Sequence, residues 1–144
     1  MGTYSRDSVQ MTASGARCVA KLPNVTWLDA SGGTLCDIGV SALSDMTQLT
    51  YLSVSQNDRI SDESVVSLVK LTCLRSLNLS GTRVTASRLH MLASLTALTS
   101  LALYNTQAKP CQVKRLFELR PDIMITGLPG VVSTKAGGPR STRT

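Results

Sequence analysis

The stretch LTYLSVSQN at residues 49–57 decides the fold, because three further stretches of the chain superimpose on it. These are VTWLDASGG at 25–33, LRSLNLSGT at 74–82 and LTSLALYNT at 98–106. Their central leucines, Leu28, Leu52, Leu77 and Leu101, recur at steps of 24, 25 and 24 residues. A fixed period of this length indicates an array of structural repeats.

A second pattern runs in phase with the first and completes the unit. Apolar residues follow each stretch at every third position, as in the series Leu89, Leu92, Leu95 and Leu98. Alternation around the central leucine predicts a short strand, whereas the three-residue spacing predicts one apolar face of a helix. Each unit is therefore expected to be a strand, a turn, a helix and a return to the next strand.

Helix starts are predicted where short polar side chains precede the apolar runs. Asp37, residues 61–63 and Thr85 stand at these places and can accept hydrogen bonds from unpaired amides, while Pro110 suits a first helical turn. Since no unit can bury its leucines alone, the units must stack. The predicted fold is an α/β solenoid with parallel strands on a concave face and helices on a convex face.

The motif that carries the repeat reads LxxLxLxxN or LxxLxLxxT followed by Ile or Val and then Ser or Thr, most clearly at residues 49–61 and 74–85. It resembles the leucine-rich repeat superfamily, in the irregular-length class similar to ubiquitin-ligase receptor and structural-subunit repeats. The resemblance implies an asparagine that bonds backbone groups between turns. Asn57 keeps it, but Gly33, Thr82 and Thr106 stand at the equivalent positions. We expect threonine to replace these bonds only in part, and the first unit to be the least regular.

Three segments are predicted along the chain. Residues 22–125 form the repeat domain of about four to five repeats, with a terminal strand near Ile123 and Ile125. Five strands at about 4.8 Å spacing span only about 19 Å, so the array is a short arc with two exposed ends. Residues 1–21 are the candidate N-terminal cap, and residues 126–144 a basic flexible C-terminal tail. The side chains expected to cover the first repeat are Val9, Met11, Cys18, Val19 and Trp27.

Composition indicates an intracellular protein. No stretch of about 20 apolar residues is present, so no membrane span or membrane partner is expected, and residues 1–22 lack the apolar core of a secretory leader. The four cysteines form no CxxC, which predicts free thiols packed as small apolar groups and no metal site. We expect a cytoplasmic or cytoskeletal location. Arg6, Arg17 and Lys21 leave a mitochondrial location open.

Positive charge is concentrated at the C-terminal end. Residues 109–144 hold seven basic against two acidic side chains, a net +5 of the whole chain's +6. Such an end can attach to an anionic surface, either RNA or an acidic protein face such as that of a microtubule. A tail that only aids solubility explains the charge equally well. The candidate contacts to an anionic partner are Lys114, Arg115, Arg120, Lys135, Arg140 and Arg143.

The concave face is the predicted partner-binding surface. Its candidate contacts flank the strand leucines and comprise Asp29, Ser53, Arg75, Asn78 and Tyr104. This surface is hydroxyl-rich and mostly neutral, which favours close approach of a protein segment. Trp27 and Tyr51 adjoin the buried leucines, so the sequence leaves their orientation open.

The sequence does not favour catalysis, a cofactor or a small-molecule substrate. His90 is the only histidine and has no expected carboxylate or cysteine partner, and no glycine loop of a phosphate-binding type is present. A non-catalytic interaction module, serving as a small structural or assembly subunit of a larger complex, is the favoured interpretation. The alternatives are an RNA-associated subunit of a ribosome or other ribonucleoprotein, and an adaptor similar to ubiquitin-ligase substrate receptors.

Overall fold

A computed structural model describes residues 11–134 and 138–140 of the chain, with side chains described up to residue 131. It contains a five-stranded parallel sheet whose strands lie in chain order. The strands are β1 (Trp27–Asp29), β2 (Tyr51–Ser53), β3 (Ser76–Asn78), β4 (Ser100–Ala102) and β5 (Met124–Thr126). The helices are α1 (Ala13–Val19), α2 (Asp37–Leu43), α3 (Asp62–Leu68), a 3₁₀ helix (Leu89–Ser94) and α4 (Pro110–Leu119). The predicted α/β leucine-rich-repeat arc is confirmed.

The repeat leucines form one continuous column through the core. The sheet register aligns Leu28, Leu52, Leu77, Leu101 and Ile125, and all five side chains are buried. The helices stack in the same order behind the sheet, each against its neighbour. Every unit thus buries its leucines against the next unit, as a one-dimensional array requires.

The least regular unit is the third and not the first, contrary to the expectation from Gly33. Its helical segment is a six-residue 3₁₀ helix that begins after Arg88 with no side-chain hydrogen bond at its N-cap. In the second unit, Ser61 caps α3 by accepting from the backbone N–H of Glu63. Thr85, the residue expected to cap the third helix, accepts from the backbone N–H of Ser87 and donates its hydroxyl to Asp62 in the preceding turn, but the 3₁₀ helix begins only after Arg88.

A polar ladder joins the first two turns. The Asn57 side chain is fully buried, and its Oδ1 accepts from the backbone N–H of Gly33 and of Leu35 at 3.1 and 3.0 Å. Its Nδ2 donates to the carbonyls of Ala30 and Val54, both at 2.9 Å. This is the inter-turn bonding that the family resemblance implies.

Threonine at the equivalent position bonds only within its own turn. Thr82 donates to the carbonyl of Leu79 at 2.6 Å, and Thr106 to that of Leu103 at 3.0 Å. The hydroxyl is too short to reach the previous turn. The expectation of a partial replacement is therefore confirmed.

Two aspartates form a second ladder that the sequence did not predict. Asp37 is the first residue of α2, and its carboxylate accepts from the backbone N–H and hydroxyl of Ser61 and from the hydroxyl of Ser64, one turn on. Asp62 accepts in the same way from the backbone N–H and hydroxyl of Thr85. Asp37 was expected to cap its own helix, but α2 has Cys36 as its N-cap, and the Asp37 carboxylate accepts from the next turn.

The N-terminal extension covers the first repeat with a helix. Helix α1 packs on α2, with Ala16 and Val19 buried between them. The close approach needs Gly39, because a Cβ there would lie 2.3 Å from Leu35 Cδ1 and 3.3 Å from Ala13 Cα. Val19 and the partly buried Met11 thus take the expected role, whereas Cys18 is exposed and Val9 lies outside the described residues.

Regular structure continues beyond residue 125 at the C-terminal end. Leu128 is buried in the core, and β6 (Val132–Thr134) pairs antiparallel with β7 (Gly138–Arg140). Strand β6 lies beside β5, the last strand of the parallel sheet. Gly127 turns the chain with φ +90°, and a Cβ at this position would meet the backbone N of Tyr104 at 2.3 Å.

None of the helices in the described part of the chain combines the length and apolar character that a membrane crossing requires.

The four cysteines are free, as expected, but their packing differs from the prediction. Cys18, Cys73 and Cys111 are exposed, and Cys36 is half-buried.

Candidate protein-interaction surface

The sheet face opposite the helices carries an aromatic pair at its N-terminal end. Trp27 and Tyr51 are register partners on β1 and β2, and each precedes a buried leucine. Their rings stack with centroids 4.8 Å apart and planes inclined by 7°. Trp27 remains 48% exposed, so it does not close the N-terminal edge as expected.

Arg75 stands on the next turn, one residue before Ser76, the register partner of Tyr51. Its backbone N–H donates to the carbonyl of Thr50, the residue before Tyr51, at 2.8 Å, and its side chain is exposed. We call Trp27, Tyr51 and Arg75 the aromatic–arginine patch. Period-two alternation around Leu28 and Leu52 was the sequence signal that places both rings on the concave face.

Beyond the patch, the residues in register with Tyr51 have small side chains and then an apolar one. Ser76 and Ser100 follow Tyr51 across the sheet, and the row ends at Met124 on β5, which is 45% exposed. The two serine side chains are smaller than those of Tyr51 and Met124 on either side of them. A partner segment can approach the backbone closely over β3 and β4.

The predicted concave residues differ in their accessibility. Arg75 and Tyr104 are exposed, with Tyr104 at 54%, and Asn78 is half-buried with its Oδ1 accepting from the backbone N–H of Ser80. Asp29 is exposed and accepts from the backbone N–H of Ser31. Ser53 is buried, which contradicts its predicted role as a contact.

Ser53 belongs to a hydroxyl network at the end of β1 and β2. The Ser31 Oγ lies 2.6 Å from that of Ser53 and accepts from that of Ser55 at 2.9 Å. The same Ser31 hydroxyl donates to Asp29. These groups satisfy one another, so the network orders the turn and holds Asp29 in place.

The predicted contacts to an anionic partner comprise two exposed residues, three whose side chains are not described, and Arg120. Lys114 and Arg115 are exposed on α4, and Lys114 lies 3.8 Å from Glu118. The side chain of Arg140 is not described, and Lys135 and Arg143 lie outside the described residues.

Arg120 is turned inward, in contrast to its predicted role as a contact for an anionic partner. Its side chain is 14% exposed, and its guanidinium donates to the carbonyls of Leu95 and Leu98 at 2.8 and 2.9 Å. It also donates to the Asp122 carboxylate at 2.8 and 2.6 Å. This hydrogen-bonded pairing raises the pKa of Arg120 and lowers that of Asp122. Arg120 closes the last turn of the array, so an anionic partner cannot use it without breaking that turn.

The described side chains include no group of three His, Cys, Asp or Glu residues that could hold a metal ion. His90 is half-buried on the 3₁₀ helix.

Comparison with known proteins agrees with this architecture. The sequence model of the leucine rich repeat family matches residues 23–84. A comparison with curated protein sequences gave no significant match.

Several solved structures share the fold. An internalin from Listeria monocytogenes is 26% identical, with a TM-score of 0.61 over 78% of this chain and 30% of its own. A leucine-rich repeat protein of Leptospira interrogans is 22% identical, with a TM-score of 0.63 over 76% of this chain and 27% of its own. The tropomodulin C-terminal domain of Caenorhabditis elegans is 12% identical, with a TM-score of 0.64 over 82% and 83% of the two chains.

The chain spans less than a third of the length of the internalin and of the Leptospira protein. At these identities the two lower matches are evidence for the fold alone. The sequence match, the repeat register and the internalin likeness agree with one another. The repeat array of this chain has the fold of the leucine-rich repeat proteins that it resembles.

Proposed function

We propose that this protein is a small structural or assembly subunit of a larger intracellular complex and binds a protein partner through its concave face. The aromatic–arginine patch carries the proposal. Tryptophan, tyrosine and arginine are the residue types most enriched among interface positions that dominate binding energy. Here Trp27 and Tyr51 are stacked register partners, and Arg75 is exposed on the next turn in register with the residue before Tyr51.

The patch is pre-ordered for binding. The stacked rings of Trp27 and Tyr51 restrict each other, so a partner immobilises little additional side-chain freedom when it covers them. Trp27 keeps about half of its surface available for burial. Burial of this apolar area on association is favourable by about 25 cal/mol per Å².

The remainder of the concave face suits a neutral protein segment. Asp29 and Arg75 carry opposite charges on either side of the aromatic pair, and Ser76 and Ser100 allow close backbone approach. Met124 and Tyr104 supply apolar contact at the far end. We infer that a partner segment crosses the strands from the aromatic pair towards β5.

The basic C-terminal end is proposed as a second, salt-sensitive contact to an anionic neighbour. Lys114 and Arg115 are the exposed described cations of the predicted set, and the tail adds Lys135, Arg140 and Arg143. Exposed charges of this kind steer association with an oppositely charged partner, and their attraction to it weakens as ionic strength rises. The free cysteines are compatible with a reducing compartment, which supports an intracellular location.

The test compares partner recovery by wild-type protein and by a Trp27→Ala/Tyr51→Ala variant in affinity capture from cells that express the protein. The affinity of each recovered partner for the wild-type protein and for the variant is then measured with purified components. We expect the double variant to lose at least tenfold in affinity, because truncation of a dominant interface residue costs about 2 kcal/mol or more.

The matched control is Ile38→Ala, which removes a large apolar side chain that is 62% exposed on α2. It should keep the wild-type affinity because α2 lies on the helical face. Equal loss in both variants, or full retention by the double variant, would refute the concave face as the binding surface. Thermal unfolding of each variant checks that the array remains folded.

A further inference from the structure

We propose that the edge of the array where the strands lead into the helices binds an acidic protein segment through Arg59, Arg83 and Lys109. This surface, which we call the basic edge, is separate from the concave aromatic–arginine patch and from the C-terminal cations. It therefore does not depend on the proposed function. A residue of the basic edge stands on each of three successive turns.

Arg59 and Arg83 occupy equivalent places in neighbouring turns. Arg59 precedes the buried Ile60, and Arg83 precedes the buried Val84. The backbone N–H of Arg83 donates to the carbonyl of Ile60 at 2.8 Å, so the two turns lie in direct contact. Adjacent turns are about 5 Å apart, which brings the two cations side by side.

Lys109 continues the row on the next turn. The backbone N–H of Gln107, the residue that aligns with Arg83, donates to the carbonyl of Val84 at 3.2 Å. Lys109 follows two residues later as the N-cap of α4 and is exposed. The row therefore extends over about 10 Å along the edge.

These cations are not neutralised by their own neighbours. Among the described side chains, the ion pairs join Arg88 to Glu63, Lys114 to Glu118 and Arg120 to Asp122, and none includes a residue of the basic edge. The nearby Asp62 carboxylate is occupied by Thr85 and Ser87. Exposed like charges held this close repel each other, and an anion that bridges them removes the repulsion.

A peptide fits this edge better than a nucleic acid. Asp58 is exposed next to Arg59 and opposes a continuous row of phosphates, whereas a peptide can place a neutral residue opposite it. The exposed positions of the edge, Thr34, Arg59, Arg83 and Gln107, include no aromatic side chain on which a base could stack. Alternate residues of an extended peptide lie on one side about 6.6 Å apart, within reach of two flexible guanidinium groups.

The experiment measures fluorescence anisotropy of a labelled peptide of alternating Glu and Ser as full-length protein is added. Arg59→Gln/Arg83→Gln should weaken binding about fivefold to tenfold, since each exposed ion pair contributes up to about 1 kcal/mol. Raising the salt from low to physiological concentration should weaken peptide binding by the wild-type protein. It should also reduce the difference in affinity between wild type and the double variant.

The matched control is Arg17→Gln/Lys70→Gln, which removes the same charge from exposed sites outside the edge. It should retain nearly the wild-type affinity. Equal weakening by both double variants would show that only net charge matters and would overturn the proposal. Tighter binding of a labelled oligouridine than of the peptide, with the same dependence on Arg59 and Arg83, would assign the edge to RNA instead.

Discussion

The junction of the first and second turns and that of the third and fourth turns use different polar chemistry, although the same buried column runs through both. Between the first and second turns, Asn57 and Asp37 reach across the gap with buried or half-buried acceptors. Between the third and fourth turns, the Arg120 guanidinium in the return segment after α4 binds carbonyls of the return segment that follows the 3₁₀ helix. Apolar burial specifies the repeat, and polar side chains long enough to cross between turns fix their spacing.

At the equivalent positions, the third turn lacks the asparagine and aspartate side chains that bridge the first two turns. Thr82 and Thr106 bond only to their own turns, and Ala86 stands where the alignment of Asp37 and Asp62 calls for a carboxylate. The helical segment at this place is the 3₁₀ helix. Loss of the side-chain ladder and loss of α-helical geometry thus occur together.

Removal of the first ladder should have the largest effect. Asn57→Ala leaves the backbone N–H groups of Gly33 and Leu35 and two carbonyls without partners in a buried position. Each unsatisfied buried group costs about 1–3 kcal/mol, and partial relaxation brings the expected loss of unfolding free energy to about 3–4 kcal/mol. Urea denaturation followed by circular dichroism measures it.

The comparison variant is Thr82→Ala at the equivalent position one turn on. It removes a single hydrogen bond within one turn, so the expected loss is about 1 kcal/mol. Similar losses for the two variants would contradict the distinction between bridged and unbridged turns.

Loss of the arginine at the other end should rank second. Arg120→Met keeps the apolar stem but removes the donors to Leu95, Leu98 and Asp122. Hydrogen bonds to charged groups contribute about 1.5–3 kcal/mol, and water can reach part of this site, so we expect a loss of about 2 kcal/mol. The same urea titration measures it.

Arg115→Met on the exposed side of α4 is the control, because it removes the same charge without such bonds. Its unfolding free energy should stay within about 0.5 kcal/mol of wild type. If Arg115→Met destabilises as much as Arg120→Met, the effect arises from net charge and the inward bonds of Arg120 contribute little.

The sequence predicted the strands, their register and the buried column, because period and alternation are local patterns that survive in the fold. The strand centres and the fifth strand near Ile125 follow from these patterns alone. The 3₁₀ helix does not, since the leucine spacing at Leu89, Leu92 and Leu95 fits either helix type. Thr85 accepts from the backbone N–H of Ser87 as Ser61 does from that of Glu63, so this residue does not account for the difference between the two helices.

The candidate surface was predicted less well. Ser53 contacts Ser31 and Arg120 binds the carbonyl of Leu95, each more than 20 residues away in sequence, so local patterns do not reveal that these side chains are turned inward. Trp27 and Tyr51 form a stack only because the register brings them together. The aspartate ladder was missed for the same reason. Its residues resemble helix caps until the neighbouring turn is in place.

Removal of the aspartate ladder should cause the smallest loss of unfolding free energy. The dependence of this loss on pH tests the role of the carboxylate charge. Burial raises the pKa of Asp37, but hydrogen bonds donated by Ser64 and Ser61 outweigh it and hold the pKa below its ordinary value. Because the folded-state pKa is lower than the unfolded one, the carboxylate stabilises the fold above the unfolded value of about 3.9. This contribution is lost as the pH falls through the folded pKa.

Asp37→Asn should therefore reduce the unfolding free energy by about 1 kcal/mol at pH 7 and by less at pH 3, which is below the unfolded-state pKa, so that part of the wild-type contribution has been lost. Urea titrations at the two pH values measure the difference. Asp45→Asn, at an exposed residue between α2 and β2, should show little change at either pH. A destabilisation by Asp37→Asn that is equal at pH 7 and pH 3 would mean that the shape of the side chain, and not its negative charge, joins the first and second turns.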